Sequence, residues 1–197
     1  MGKKSQRVGD QLQNMIDATN DGYLVRGLCF IHRQHEEVKT NKHFDPKLKK
    51  NVITNAYYKS KGALDYAGVV DGQYVTFDAK SAADRLPFAN IEEHQIKYLD
   101  YAEKFDGHAF IIAYIRSVNA IYLVPAYYIV PLWREWNEHK KQDERSGTKT
   151  RYEGGASLNV TNLNENAFVI MPSMLGAVDW LPAFKKMVQA KMDRSGN

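Results

Sequence analysis

The alternation of apolar and polar residues is clearest over residues 64–80, where it predicts a β-hairpin. At its centre, Asp71-Gly72 is a strong two-residue turn signal, because a type I′ turn needs positive φ at both central positions and this pair tolerates it. A turn there fixes the register and sets Asp65 directly opposite Asp78, and a four-residue loop with the same centre gives the same pairing. The pattern therefore predicts two carboxylates as cross-strand neighbours.

The second strand of this hairpin carries the residues with candidate chemistry. Alternation puts Tyr74, Thr76, Asp78 and Lys80 on one face. Two carboxylates directly opposite each other are destabilising unless a cation lies between them. We therefore predict Asp65 and Asp78 as Mg²⁺ ligands, and Lys80 as the group that orients or deprotonates the attacking water and offsets phosphate charge. The alternative is a solvated hairpin face with ordinary surface ion pairs.

Elements on either side of the hairpin follow from the same kind of pattern. Apolar residues at helical spacing over 8–16 predict a short amphipathic helix, which Asn20-Asp21-Gly22 should end. Residues 23–33 are apolar and β-rich, and they predict a strand with Gly27 as a bulge or close approach.

A second helix is predicted after the hairpin, with Asn90 as its N-cap. Gln95 falls on the apolar stripe of this helix, four residues after Ile91, and it is either a functional residue or a satisfied buried amide. His94 lies off the stripe, where a DNA contact or a surface position is expected.

The C-terminal part of the pattern completes an α/β protein. It predicts a central strand covered on both faces, a partner strand, a helix, a mobile loop, a further strand and a terminal helix. These elements cover, in that order, residues 108–115, 121–124, 126–138, 139–156, 167–171 and 179–192.

Composition narrows the class of protein. The 197 residues are 44% hydrophobic and 25% charged, as expected for one globular domain, residues 1–197. No apolar run approaches the roughly 18 residues of a membrane-spanning helix. The single cysteine excludes an internal disulfide. We expect a cytoplasmic protein.

Positive charge is concentrated in one segment. The net charge is +4 for the whole chain, whereas residues 38–61 contain seven lysines and one acid, Asp45. Hydrophobic and aromatic residues alternate with these lysines, which is typical of surfaces that bind nucleic acid. The segment predicts a DNA-binding projection, and the alternative is a flexible solvated loop. The candidate DNA-binding residues are Lys39, Lys42, Lys47, Lys49, Lys50, Lys59, Lys61 and His94.

A family resemblance rests on short motifs in a fixed order. The motifs are Thr19-Asn20, Tyr23, Gly27, Phe30-Ile31-His32, Ala56-Tyr57-Tyr58-Lys59, Asp65-Tyr66-Ala67-Gly68, Phe77-Asp78-Ala79-Lys80 and Glu93-His94-Gln95. Together they resemble the RecU-type Holliday-junction resolvases, which belong to the restriction-endonuclease-like (PD-(D/E)xK) nucleases. The resemblance covers roughly residues 9 to 136.

This resemblance implies a fold, an activity and partners. It implies a restriction-endonuclease-like mixed β-sheet flanked by helices, with residues 38–61 as a stalk that enters the junction. It implies a homodimer that uses Mg²⁺, for which Mn²⁺ substitutes, to cut two opposed strands of a four-way DNA junction in recombination and repair. It places Gln95 at the metal or at the scissile phosphate.

The chain departs from the family pattern at three points. RecU proteins usually have threonine just before Asp65, where this chain has Ala63-Leu64, and they usually have glutamate in place of Asp78. Their first helix commonly has glutamate near the position of Gln13. Two alternatives stay open at this point, a restriction-type or repair-type nuclease that cuts duplex DNA and a DNA-binding protein without catalytic activity.

Overall fold

The computed structural model describes residues 3–34, 38–58, 63–150 and 152–195. The α-helices are α1 Lys3–Val25, α2 Glu93–Lys104, α3 Ala126–Ser146, α4 Val160–Asn166 and α5 Leu181–Ser195, and short 3-10 helices cover Phe88–Asn90 and Arg116–Val118. The strands are β1 Phe30–Arg33, β2 Val38–Asp45, β3 Lys50–Tyr58, β4 Tyr66–Val70, β5 Gln73–Ala82, β6 Leu86–Pro87, β7 His108–Ile115, β8 Ala120–Pro125, β9 Ser157–Leu158, β10 Phe168–Ser173 and β11 Gly176–Asp179.

Seven of these strands form one mixed sheet in the order β1-β4-β5-β7-β8-β10-β11. Only β5 and β7 are parallel in it, and α2 lies on the crossover that connects them. The other neighbouring pairs are antiparallel. The predicted α/β class, a mixed sheet flanked by helices, is confirmed.

Helices cover both faces of the sheet, and β7 separates two hydrophobic cores. Ile111 and Ala113 face the core that contains buried residues of α2 and α3. Phe110 and Ile112 face the core that contains buried residues of α1 and α5. The expectation of a central strand covered on both sides is therefore confirmed.

The β4–β5 hairpin has the predicted turn and register. Asp71 and Gly72 both have positive φ, 50° and 81°, as a type I′ turn requires. Val70 pairs with Gln73 across the turn. Asp65 lies one residue before β4 begins, so the register sets it beside Asp78 at the end of the ladder.

The N-terminal elements differ from the sequence prediction. Helix α1 does not end at Asn20-Asp21-Gly22 and continues to Val25. Asn20 is buried and accepts a hydrogen bond from Trp180 Nε1 at 3.0 Å, so tertiary packing outweighs its preference for turns. The predicted strand is correspondingly wrong for residues 23–29 and is confined to β1.

Gly27 ends α1 and is not a strand bulge. It has a φ of 64°, in the left-handed region. Its N–H donates to Leu24 O and the Leu28 N–H donates to Tyr23 O, both at 3.0 Å. This pair of hydrogen bonds is a Schellman motif, which satisfies the last carbonyl groups of a helix.

Three later elements also differ. Asn90 belongs to a 3-10 helix, and the N-cap of α2 is Glu92. The loop predicted over residues 139–156 is wrong for residues 139–146, because α3 continues to Ser146. The sequence also gave no signal for α4, a helix of only seven residues.

The strands β2 and β3 form a separate two-stranded sheet, which we call the basic hairpin (residues 38–58). At its tip, Asp45 Oδ1 accepts the N–H groups of Lys47 and Leu48, at 2.8 and 3.3 Å. The flexible-loop alternative is therefore wrong for this segment. Within the described ranges, every helix is too short or too polar to span a lipid bilayer.

Candidate active site

Asp78 lies in the middle of the sheet and its side chain is buried. Its Oδ1 accepts a hydrogen bond from Gln95 Nε2 at 2.9 Å, and its Oδ2 lies 2.7 Å from Lys80 Nζ. The pKa of this carboxyl is raised to about 7, because burial and the nearby Asp65 raise it by more than the Lys80 ammonium lowers it. The alternative of a solvated hairpin face is therefore wrong, since a solvated pair would have no such cost of burial.

Asp65 is held at the point where β4 begins. Its Oδ2 accepts the Ala79 N–H at 3.0 Å and Gln13 Nε2 at 3.2 Å, and its backbone carbonyl accepts the Gln34 N–H at 2.7 Å. The ladder between β4 and β5 ends at the pair Tyr66 and Phe77, so the Ala79 N–H lies just beyond it. The Asp65 carboxylate accepts this N–H in place of a backbone carbonyl from β4. Asp65 Oδ1 accepts no hydrogen bond from the residues that the structure describes.

Gln95 faces inward from α2, as predicted, and is 9% exposed. Its Oε1 accepts the Glu92 N–H at 3.0 Å, and its Nε2 donates to Asp78. The Glu92 backbone N–H can only donate, so it fixes the amide with Oε1 towards Glu92 and Nε2 towards Asp78. The atom that faces Asp78 is a nitrogen without a free lone pair. In this metal-free arrangement Gln95 orients the Asp78 carboxylate, and its place at the metal or at the scissile phosphate stays a prediction.

Lys80 lies two residues after Asp78 on the same strand and the same face. Its side chain is 20% exposed, whereas the Asp78 side chain with which it pairs is only 1% exposed. The side chains of Asp65, Asp78, Lys80 and Gln95 are thus brought together by β4, β5 and the first turn of α2.

A second set of residues surrounds Asp65, and the sequence did not indicate its role. Arg33 Nη2 donates to Gln13 Oε1, and Arg33 Nη1 lies 3.4 Å from Asp17 Oδ2. The Tyr66 hydroxyl donates to Asp17 Oδ1 at 2.7 Å. The family resemblance already singles out the position of Gln13, and Asp17 lies four residues further along α1, so their shared helix face was the further signal that could have identified the whole set.

The candidate DNA-binding residues lie in two places. His94 is half-buried beside Gln95, with its Nδ1 3.4 Å from Glu92 Oε2. Lysines with exposed side chains lie on the basic hairpin, away from the sheet that carries the carboxylates: Lys42, Lys47, Lys49 and Lys50. The side chain of Lys39, and Lys59 and Lys61 altogether, fall outside the described residues.

The side chains present fit a hard divalent cation. Among the described residues, no group of three or more His, Cys, Asp and Glu side chains is arranged to hold a metal ion. Mg²⁺ is usually bound by one or two carboxylates plus water and phosphate oxygens. Asp65, which has one carboxylate oxygen free of hydrogen bonds from the described chain, and Asp78 are the two carboxylates here that could hold such a cation.

Comparison with known proteins identifies the family. The family model described as "RecU: Recombination protein U" matches residues 7–186. The chain belongs to the RecU family. The match includes α1 with Gln13, the β4–β5 hairpin and α2, so every element that contributes to the site lies within the RecU region.

Individual relatives carry the same family name. The Holliday junction resolvase RecU of Oenococcus oeni is 30% identical over 193 residues, which cover 94% of this chain and 90% of that protein. The one from Streptococcus gordonii is 29% identical over 180 residues, 90% of this chain and 82% of the relative. A solved structure of the Archaeoglobus fulgidus resolvase Hjc matches with 12% identity and a TM-score of 0.38, over 83% of this chain and 93% of that one.

Proposed function

We propose that this RecU-family protein is a Mg²⁺-dependent endonuclease that resolves four-way DNA junctions. The observation that carries the proposal is the convergence of Asp65, Asp78 and Lys80 at the end of the β4–β5 ladder, in a chain of the RecU family. Relatives over most of its length are named Holliday junction resolvases.

The two carboxylates hold the cation. Asp65 contributes Oδ1, since Oδ2 is engaged by Ala79 and Gln13. Asp78 contributes a carboxylate that is buried, and burial disfavours its negative charge. An adjacent cation therefore stabilises the charged form of Asp78. When bound, Mg²⁺ supplies charge for the phosphate oxygens and acidity for a water molecule. Mn²⁺ substitutes because it accepts the same oxygen ligands.

Lys80 stabilises charge on the reacting phosphate. Its ammonium is fixed by Asp78 at 2.7 Å and is partly exposed, so it can contact an incoming phosphate oxygen without a large rearrangement. A preorganised cation of this kind acts mainly on the transition state. His94, at the edge of the site, contacts the DNA strand in the proposed complex.

The basic hairpin recognises the branched substrate. Its exposed lysines are spread over the tip and the outer part of the strands, where they reach phosphates that the sheet does not. The proposed enzyme is a homodimer, because two sites related by a two-fold axis are needed to cut two opposed strands of one junction. The cytoplasm is its proposed location, since the proposed DNA substrate lies there.

One experiment tests this function against its two rivals. Wild-type protein and the Asp65→Asn variant are incubated with a synthetic four-way junction or a linear duplex, with and without Mg²⁺. We expect wild type to cut the junction only with Mg²⁺, and the variant to bind it without cutting. Preferential cutting of duplex would favour the restriction-type nuclease, and binding without cutting by wild type would favour an inactive DNA-binding protein. Sedimentation velocity tests the dimer.

A further inference from the structure

Each candidate metal ligand is contacted by the amide nitrogen of a glutamine. Gln95 Nε2 donates to Asp78 Oδ1 at 2.9 Å, and Gln13 Nε2 donates to Asp65 Oδ2 at 3.2 Å. Each glutamine is itself held at Oε1 by a group that can only donate, a backbone N–H for Gln95 and a guanidinium for Gln13. Each carboxylate is therefore oriented by a glutamine amide, Asp65 by one from α1 and Asp78 by one from α2.

The support around Asp65 is the more extended of the two. Arg33 connects Gln13 on α1 to Asp17, one turn further along the same helix, and Asp17 in turn accepts the Tyr66 hydroxyl. Tyr66 is the residue directly after Asp65, and its ring is fully buried against Phe77. The network thus begins at Asp65 and ends at Tyr66, its neighbour in the chain, so the Gln13 amide has little freedom to turn away.

We infer that Gln13, held in place by Arg33, is a positioning residue that saturates Asp65 Oδ2 and reserves Oδ1 for the metal. This inference rests on the proposed function, because it concerns how the same site binds its cation. The physical reason is that Oδ2 already accepts two hydrogen bonds, from Gln13 and from Ala79. Without Gln13 the Asp65 carboxylate rotates more freely. Metal binding then has to fix the carboxylate, and the entropy lost in doing so lowers the metal affinity.

The test measures metal binding directly as well as cleavage. Mn²⁺ affinity of the protein without DNA is measured by electron paramagnetic resonance for wild type, Gln13→Ala and Gln11→Ala. Gln11 is a matched control, since it is the same residue type on an exposed face of α1. We expect Gln13→Ala to weaken Mn²⁺ binding by about 10- to 100-fold, the usual effect of losing an outer-shell partner, and Gln11→Ala to leave it unchanged.

Cleavage kinetics separate positioning from a structural defect. The single-turnover rate of Gln13→Ala should fall at low Mg²⁺ and return towards the wild-type rate as Mg²⁺ is raised, with junction binding in EDTA unchanged. A variant that is merely misfolded would show a lower melting temperature in EDTA, lower junction affinity and no recovery with Mg²⁺, and that result would overturn the inference.

Arg33 provides the second, independent variant. Arg33→Lys keeps the positive charge but loses the planar group that contacts Gln13 and Asp17 together. The double variant combines Gln13→Ala with Arg33→Lys. If Arg33 acts through Gln13, this double variant should bind Mn²⁺ no more weakly than whichever single variant has the lower Mn²⁺ affinity. Additive losses, or a loss confined to DNA affinity, would assign Arg33 to a direct phosphate contact and refute its positioning role.

The outcomes also distinguish a failure of this inference from a failure of the proposed function. If wild type binds Mn²⁺ and cuts the junction while Gln13→Ala behaves as Gln11→Ala does, only the positioning role is wrong. If wild type does not bind Mn²⁺, or if Asp65→Asn binds it as wild type does, the proposed metal site itself is wrong.

Discussion

Replacing the buried Asp78 by asparagine should stabilise the metal-free protein, and by an amount that depends on pH. The ordinary carboxyl pKa is 3.8 and burial raises it to about 7 in the folded protein. Between these values the folded state binds more protons than the unfolded state, so stability falls as pH rises through this window and levels off above about 7. Asparagine is neutral, like the protonated carboxyl, so the stability of the variant does not fall through this pH window.

The size of the effect follows from the difference in pKa. At about 1.4 kcal/mol per pH unit, a difference of about three units corresponds to about 4 kcal/mol in total. Roughly 2–3 kcal/mol of this falls between pH 5 and pH 7. In a protein of this size, 1 kcal/mol shifts the melting temperature by about 2–4 °C. The difference in melting temperature between variant and wild type should therefore increase by about 4–12 °C from pH 5 to pH 8.

Differential scanning calorimetry in EDTA at several pH values measures this difference. Asp84→Asn is the control, because Asp84 is exposed and pairs with its neighbour Arg85; its melting temperature relative to wild type should not change with pH. Mg²⁺ added at pH 8 should stabilise wild type and not Asp78→Asn. A melting-temperature difference that stays constant between pH 5 and pH 8 would refute the reasoning, since burial would then impose no cost on the charge.

Three further variants test other parts of the protein. Lys80→Ala should slow single-turnover cleavage at saturating Mg²⁺ by about 10²–10³-fold, and an unchanged saturated rate would reduce Lys80 to a structural counter-ion. Replacing Lys47, Lys49 and Lys50 together by alanine should lower the salt slope of junction binding by about 0.9 per lysine, with a larger loss for a junction than for a duplex; equal losses in gel-shift titrations would contradict the proposed role of the basic hairpin. Gln95→Glu keeps a potential metal ligand but removes the donated hydrogen bond, so we expect weaker Mn²⁺ binding in titrations, whereas equal or tighter binding would make Gln95 a metal ligand.

Local chemistry explains which parts of the site the sequence predicted. The Asp71-Gly72 turn depends on two adjacent residues, and period-two alternation carries its register to Asp65 and Asp78 without any tertiary information. The position of Lys80 follows from the same alternation. For this reason the strand pair that carries the candidate site was predictable from a short stretch of chain.

The supporting residues depend on packing that local pattern does not encode. Gln13 reaches Asp65 across 52 residues of sequence, and only the docking of α1 against the sheet brings them together. The orientation of the Gln95 amide depends on the N-cap of α2 at Glu92, two residues later than the predicted N-cap Asn90. Helix α1 continues beyond Asn20, and Trp180, far away in the sequence, donates a hydrogen bond to the Oδ1 of that buried side chain.

The basic hairpin has a consequence for the energetics of the whole molecule. Among the described strands, β2 and β3 pair only with each other, and a two-stranded hairpin alone is marginally stable in water. It should therefore open locally at a free energy far below that of global unfolding, with fast amide hydrogen exchange while the seven-stranded sheet stays protected. In the proposed enzyme, the conformational entropy of the hairpin is lost when the junction binds. Substitutions in these two strands should consequently adjust affinity for DNA without changing the melting temperature of the catalytic sheet.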